Sequence, residues 1–392
     1  MALDIYLFTA SQIRTDILDG SSRIMIECAR RWLVEGHNFH IITCKEGRDQ
    51  YQRYGLHTPD YVVVRSARPT IGIYVLYLLR TLKLSIMAFT FRVKDSHPII
   101  ISASDFLPDF IPAWILKMRS RRAKWIVTFY LLAPKPLSRD SPYKGRAIFK
   151  GLVYFISQML TLHIARKYAD MVWVTNTLDK YRFLDNKRLD LSRIVSVQWG
   201  VNTQSASVVP EPENKTFDAV FVGRLHPQKG VLELIDIWRY VLAKKPDAKL
   251  AIIGSGDLER TLRQKIDLLE LQDKIVLFGF RDGEQKLKIL KASRIFVHPA
   301  MYDTGAIAPM EAMACGLPGI SFDLPALRSY YPRGMIRVRP GEKEAFGETV
   351  LQLLNDRELF GRLKEEASQL ARESDWDQRS HQLLEIVKSI ST

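Results

Sequence analysis

Short apolar runs alternate with longer amphipathic stretches from one end of the chain to the other. No other feature constrains the fold as strongly. An apolar run of about four to eight residues is a strand covered on both faces, and strands separated by helices pair in parallel. In the first half this spacing predicts strands at Asp4–Thr9, Phe39–Thr43, Tyr61–Val64, Ile99–Ser102, Trp125–Thr128 and Met171–Thr175. In the second half it predicts Phe217–Val222, Leu250–Ile253, Ile275–Phe278, Ile295–His298 and Gly319–Ser321. A helix from Ser21 to Glu35 joins the first two, opened by a Gly-Ser-Ser turn and closed by Gly36. The expected class is α/β.

At 392 residues, two domains of about 200 residues fit better than one core. Val208 to Lys215, with two prolines and high polarity, is the best linker candidate. The expected division is 1–205, then 206–375, then a helix over 376–392 that packs back on the first domain. Two doubly wound, Rossmann-like domains facing a cleft would gather the strand ends of both sheets around one ligand.

The charge is uneven. Of the net +14, all falls in residues 1–200, which hold 30 Lys and Arg against 16 Asp and Glu; the remainder holds 27 of each. Residues 51–150 alone carry 17 basic and 5 acidic groups. Such a field attracts an anionic partner: lipid head groups, a phosphorylated acceptor or nucleic acid. The basic segments contain no recognisable nucleic-acid module, which sets that partner aside. Cys28, Cys44 and Cys315 lack metal-ligand spacing and suit a reducing, cytoplasmic compartment. The first residues read as a strand rather than a leader. The longest uncharged apolar stretch, Gly151 to Ala165, falls short of the roughly 20 residues that span a bilayer. The expectation is a cytoplasmic protein, either free or peripheral on the inner face of a membrane.

Two motifs carry chemistry. In Phe221-Val222-Gly223-Arg224-Leu225-His226-Pro227-Gln228-Lys229-Gly230 a buried strand ends at Gly223, and a helix opens after Gly230. Glycine lets a ligand approach the backbone, and the two cations can bracket a diphosphate, each charge-assisted bond being worth roughly 1.5–3 kcal/mol. An ordinary strand-to-helix turn with a surface Arg and Lys also suits these residues. The second motif runs from Tyr302 through Glu311 to Pro318, after the strand Ile295–His298. Small residues around Gly305 let backbone N–H groups face an anion. Glu311, among Ala and Met, would be costly without a partner. A sugar diol would satisfy it, and so would a neighbouring Arg or Lys.

At these residues the chain resembles the family 4 glycosyltransferases, retaining enzymes of the GT-B fold. The likeness rests on Gly223-Arg224-Leu225 followed by Lys229-Gly230, and on an acid followed eight residues later by Glu311-Ala312-Met313-Ala314-Cys315-Gly316-Leu317-Pro318. Ile252-Ile253-Gly254-Ser255-Gly256 resembles the family's Gly-x-Gly strand end, and Asp19-Gly20-Ser21-Ser22 its opening glycine loop. The likeness covers nearly the whole chain but is specific in the second half.

The resemblance implies roles. Arg224 and Lys229 would hold the donor diphosphate and stabilise the leaving nucleoside diphosphate without a metal. Gly223 and Gly254 would line the donor site, and Glu311 would hold the ribose. The stretch Asp303, Thr304, Gly305, Ala306 and Ile307 would meet the distal phosphate and sugar, with Asp303 catalytic. Gly279, Phe280 and Arg281 lie where such enzymes hold the base. Gly20, Ser21 and Tyr130 would face the acceptor, a lipid-linked or membrane-associated glycan precursor. A nucleoside-diphosphate sugar is the implied co-substrate; no metal or other cofactor is expected. The chain departs from the family pattern at Asp303, where Glu is usual, at Gly305 and Ala306, where an aromatic and a glycine are usual, and at Tyr130, where many members carry His.

Weaker signals have plain readings. Asp375-Trp376-Asp377 matches a metal motif of another glycosyltransferase fold, but it precedes an amphipathic helix and reads better as a cap. His226 and His298 suit packing, and His163 suits a core or interface. Lys117–Lys124 and Lys144–Lys150 flank apolar helices, and Ile71–Phe91 is another apolar helix, interrupted by Arg80 and Lys83. They fit either a solvated basic face or docking on an anionic leaflet. Two rival functions stand beside the transferase: a catalytically silent nucleotide-sugar-binding or membrane-adaptor protein, and a soluble disaccharide-forming transferase.

Overall fold

The computed structural model describes residues 2–13, 15, 20–65, 72–93, 97–133, 135–138, 143, 145, 147–183, 191–303 and 305–391. The chain forms two compact units, Met1–Gln198 with Arg379–Thr392, and Trp199–Gln378.

The first unit runs β1 (Asp4–Thr9), α1 (Gly20–Val34), β2 (Asn38–Cys44), α2 (Lys45–Arg53), β3 (Asp60–Val64), α3 (Ile73–Thr90), β4 (Ile99–Ser102), α4 (Leu107–Arg119), β5 (Lys124–Phe129), α5 (Ala147–Tyr168), β6 (Met171–Val174), α6 (Thr177–Phe183) and β7 (Ile194–Ser196). Its strands form one parallel sheet in the order β3-β2-β1-β4-β5-β6-β7. Right-handed crossovers put α1 and α2 on one face and α3, α4 and α5 on the other. The side chains obey that division. Tyr6 and Phe8 of β1 join Leu84, Phe110 and Leu162 of α3, α4 and α5 in one cluster, so the alternate residues Ile5 and Leu7, equally buried, belong to the opposite face.

The second unit runs α7 (Thr203–Val208), β8 (Phe217–Val222), α8 (Val231–Lys244), β9 (Leu250–Ile253), α9 (Glu259–Leu268), β10 (Ile275–Gly279), α10 (Gly283–Lys291), β11 (Ser293–His298), α11 (Ala308–Ala314), β12 (Gly319–Phe322), α12 (Pro325–Tyr330), β13 (Met335–Val338), α13 (Lys343–Asn355) and α14 (Arg357–Glu373), and enters α15 (Trp376–Ser391). Its parallel sheet has the order β10-β9-β8-β11-β12-β13. Ala219, Phe221, Ile252, Ile295 and Val297 pack on Trp238 of α8 and Leu353 of α13. Val220, Ala251, Ile253 and Phe296 face Leu290 of α10 and Ala312 of α11.

The unit boundary falls at Gln198, ahead of the proline-bearing stretch Val208–Lys215. The reason is local. Val201 N–H donates to Ser374 O at 2.9 Å and Trp376 N–H to Val201 O at 3.0 Å, and a side chain on Gly200 would strike the buried Trp376 ring. Residues 199–202 are thereby tied to the end of the second unit. The sequence expectation that no stretch is long enough to span a bilayer needs correction. Ile73–Thr90 and Ile148–Tyr168 are long and apolar enough to cross one, because Arg80 and Lys83 do not break α3 and Gly151–Ala165 is only the middle of α5.

Candidate functional site

The strand order of the second, wholly parallel sheet reverses between β8 and β11. The loops leaving the carboxyl ends of strands at such a reversal are the usual ligand position in sheets of this kind. The donor-side residues expected from the sequence lie on loops at this edge. Gly223 and Arg224 follow β8, and Lys229 ends a 3₁₀ turn, Pro227–Lys229. Gly254 follows β9, and Gly279 ends β10 ahead of Phe280 and Arg281. Asp303, Gly305, Ala306 and Ile307 follow β11, and Glu311 sits in α11. Thr304 lies outside the described residues. Gly20 and Ser21 open α1, and the half-buried Tyr130 follows β5; these three belong to the first unit.

Backbone contacts join the loops. Gly223 N–H donates to Ile253 O (3.0 Å), Gly254 N–H to Gly279 O (2.9 Å), and Met301 N–H to Gln228 O (2.9 Å). Two glycines make this closeness feasible. A Cβ on Gly254 would stand 1.8 Å from Gly223 O, and one on Gly230, whose φ is 64°, would stand 1.8 Å from Pro299 O. His226 caps the 3₁₀ turn by accepting Gln228 N–H on Nδ1 at 3.2 Å.

The charges divide into one exposed cation and two paired clusters. Arg224 is exposed, and among the described residues no carboxylate forms an ion pair with it. Lys229 Nζ donates to Asp303 Oδ2 at 2.5 Å, and His298 Nε2 lies 3.1 Å from the same oxygen. Burial alone would raise the Asp303 carboxyl. The Lys229 ammonium and the His298 hydrogen bond outweigh it, and hold the group well below the usual carboxylate range. Burial pushes His298 down, against the pull of Asp303. A neutral His298 whose Nε2–H donates a hydrogen bond to the Asp303 carboxylate is consistent with both shifts.

Glu311 Oε1 accepts from Lys286 Nζ at 2.8 Å, and Lys286 also reaches Asp282 at 2.8 Å. The lysine pairing open from the sequence is therefore present. Lys286 and the His298–Asp303 bond are the site features that sequence reasoning missed. The spacing of Asp282 and Lys286 on one helix face was the available signal for the first. For the second, five residues of loop geometry had to be known. Tyr331, fully buried, donates its hydroxyl to Ala306 O and fixes the loop before α11.

Asp375 caps α15 and α7 rather than offering a metal ligand. Its Oδ1 accepts Asp377 N–H at 2.9 Å and its Oδ2 accepts the Thr203 hydroxyl at 2.5 Å. His163 is exposed on α5, not in the core. A hollow of about 450 Å³ elsewhere in this unit, bounded by Lys291, Cys315, Lys364 and Arg372, shares no residue with the set above.

Residues 203–370 match the family described as glycosyl transferases group 1. An uncharacterized glycosyltransferase of Methanocaldococcus jannaschii is 30% identical over 199 residues, 47% of each chain. A GDP-mannose-dependent monoacylated alpha-(1-6)-phosphatidylinositol monomannoside mannosyltransferase of Corynebacterium glutamicum is 32% identical over 143 residues, 34% of this chain and 36% of its own. The chain spans about half or less of the length of the curated relatives it matches. Among solved structures, Anabaena HepE with UDP-glucose superposes with a TM-score of 0.74 at 15% identity, covering 99% of this chain and 100% of that one. The fold is thus that of two Rossmann-like domains shared with GT-B glycosyltransferases, and residues 203–370 carry the match to the glycosyl transferases group 1.

Proposed function

We propose that this protein is a retaining glycosyltransferase that moves a sugar from a nucleoside-diphosphate sugar to a lipid-linked or membrane-associated glycan acceptor. The observation that carries the reading is the pair Arg224 and Lys229 at the switch point of the second sheet, within the stretch that matches the family. The leaving group of such a transfer is a nucleoside diphosphate, and its developing charge needs fixed cations. Lys229 is fixed by Asp303. An ammonium has three N–H donors, so Lys229 can hold Asp303 and a phosphate oxygen together. Arg224, exposed and on the same loop, supplies the second cation. Glu311 is oriented by Lys286; a carboxylate accepts about four hydrogen bonds, which leaves capacity for a ribose diol. No step in this scheme calls on a metal, and EDTA is expected to change the rate little.

Support for the donor class also comes from HepE, which was solved with UDP and with UDP-glucose. A membrane-associated acceptor accords with the diphosphoundecaprenol acceptor named for an Escherichia coli galactosyltransferase, 32% identical over 111 residues, and with the basic first unit. Arg224→Ala and Lys229→Ala should each cut transfer by about two orders of magnitude or more. Full activity in both variants would remove the site assignment. The silent-binder reading draws on the occupied Asp303. Tight binding of UDP-, GDP- or ADP-sugars with no turnover would favour it.

A further inference from the structure

The first unit carries a surface that the donor chemistry does not use. On α3, Val75, Leu78, Leu82, Ile86 and Phe89 recur at spacings of three and four, and each is at least half exposed. They form one stripe along the helix. The opposite side of α3 is engaged with its own unit. Leu76, Leu84 and Ala88 are buried, and the fully buried Arg80 donates to Ala10 O and Gln12 O and pairs with Glu46. On α5, Phe149, Leu152, Ile156 and Leu160 repeat the pattern, all exposed. The two helices flank α4 on the same face of the sheet. Tyr77 of α3 meets the Phe106 ring, and Phe106 meets Tyr154 of α5, at centroid distances of 5.7 and 5.8 Å.

Charge selects the occupant. Neither helix contains an acidic residue. Arg92, Arg121 and Arg122 are exposed just beyond the carboxyl ends of α3 and α4, and Arg119, the exposed last residue of α4, is tied to Ala88 O of α3 and to Phe91 O just after it. Lys150 and Lys167 are exposed on α5. Two parallel apolar stripes without a single carboxylate, bordered by cations, match an interface with apolar interior and anionic head groups. Because α3 packs on α4 and turns Arg80 inward, it would lie on a bilayer rather than cross it.

We propose that α3 and α5 dock the protein on an anionic lipid bilayer, with their exposed stripes in the head-group and acyl boundary. Tyr77 donates to Ser11 O at 2.7 Å and Arg80 holds Ala10 and Gln12. The helix that meets the lipid therefore also positions the loop leaving β1, next to the start of α1 where the acceptor is expected. Docking does not require transfer, so it stands or falls separately from the proposed activity.

The test is sedimentation of the full chain with vesicles of phosphatidylcholine alone and of phosphatidylcholine with roughly a third phosphatidylglycerol. The expected result is binding to the anionic vesicles, weakened by salt. The variants Leu78→Glu/Ile86→Glu and Leu152→Glu/Ile156→Glu should each lower that binding about tenfold or more, because each loses apolar insertion and adds repulsion. These side chains are exposed, so unchanged thermal unfolding of both variants is expected and certifies the comparison; the two helices test the idea independently if one variant misfolds. Wild-type protein that stays in the supernatant with both vesicles would overturn the proposal. So would undiminished binding by both variants, or a dimer in solution that both variants dissolve, since a second copy would then be the occupant.

Discussion

Asp303 keeps its charge at a buried position because Lys229 and His298 both reach it. Removing one member of such a set leaves a buried charge without compensation, which costs about 3–5 kcal/mol. Asp303→Asn should therefore destabilise the second unit at pH 7 by about 3 kcal/mol or more, read from urea unfolding, besides impairing transfer. The pH dependence follows from the shifts. His298 is held below its ordinary value, so below about pH 6.5 the unfolded chain binds a proton that the native ring refuses, and stability falls with pH. The Asp303 contribution is full above the unfolded carboxyl value of about 3.9 and is lost only as pH falls toward its depressed native value. His298→Gln should flatten the slope of unfolding free energy against pH between about 6.5 and 5. An unchanged slope would mean that the ring titrates normally. The two cations and the acid were legible in the sequence as types. Their pairing was not, because 74 residues separate Lys229 from Asp303 and only the parallel adjacency of β8 and β11 closes that gap.

Helices and strands differ in how openly the sequence declares them. Strands covered on both faces gave continuous apolar runs, so all those expected are present within a residue or two at most ends. The two missed, β7 (three residues) and β13 (four), close the outer edges of their sheets, where short strands have little apolar surface to announce them. The helix α3 was readable as apolar, with Arg80 taken as an interruption. Sequence alone does not reveal which way one long side chain turns. Arg80 in fact points inward, 1% exposed, and staples the loop after β1 through Ala10 O (2.9 Å) and Gln12 O (2.5 Å) while pairing with Glu46 at 2.8 Å. Arg80→Met would keep the length and lose the donors, taking the arginine from Ala10 O and from the part-buried Glu46 carboxylate and leaving Gln12 O only the weak Cys44 thiol donor at 3.7 Å. A loss of about 3–5 kcal/mol is expected. A loss below about 1 kcal/mol, as at a solvated surface pair, would show that the staple is not needed.

At the scale of the whole molecule the chain leaves the first unit at Gln198 and re-enters it at Arg379. The returning segment is integral to that unit. Leu383, Leu384 and Val387 are buried, and the enclosed Trp32 donates its indole N–H to Ser380 O at 2.9 Å. The cap at Asp375 and the Trp376 packing on Gly200 belong to the second unit. Removing residues 379–392 should thus strip apolar cover from the first unit and leave the proposed donor site whole. Unfolding of the truncated chain is expected to show the first unit melting earlier. Addition of UDP should still raise the second transition, by about 2.7 kcal/mol at a hundredfold excess over Kd, as in the full chain. Because a ligand that binds only the folded state stabilises the unit that holds it, the transition that moves reports where UDP sits. A shift in the first transition, or a response abolished by the truncation, would place the nucleotide away from Arg224 and Lys229.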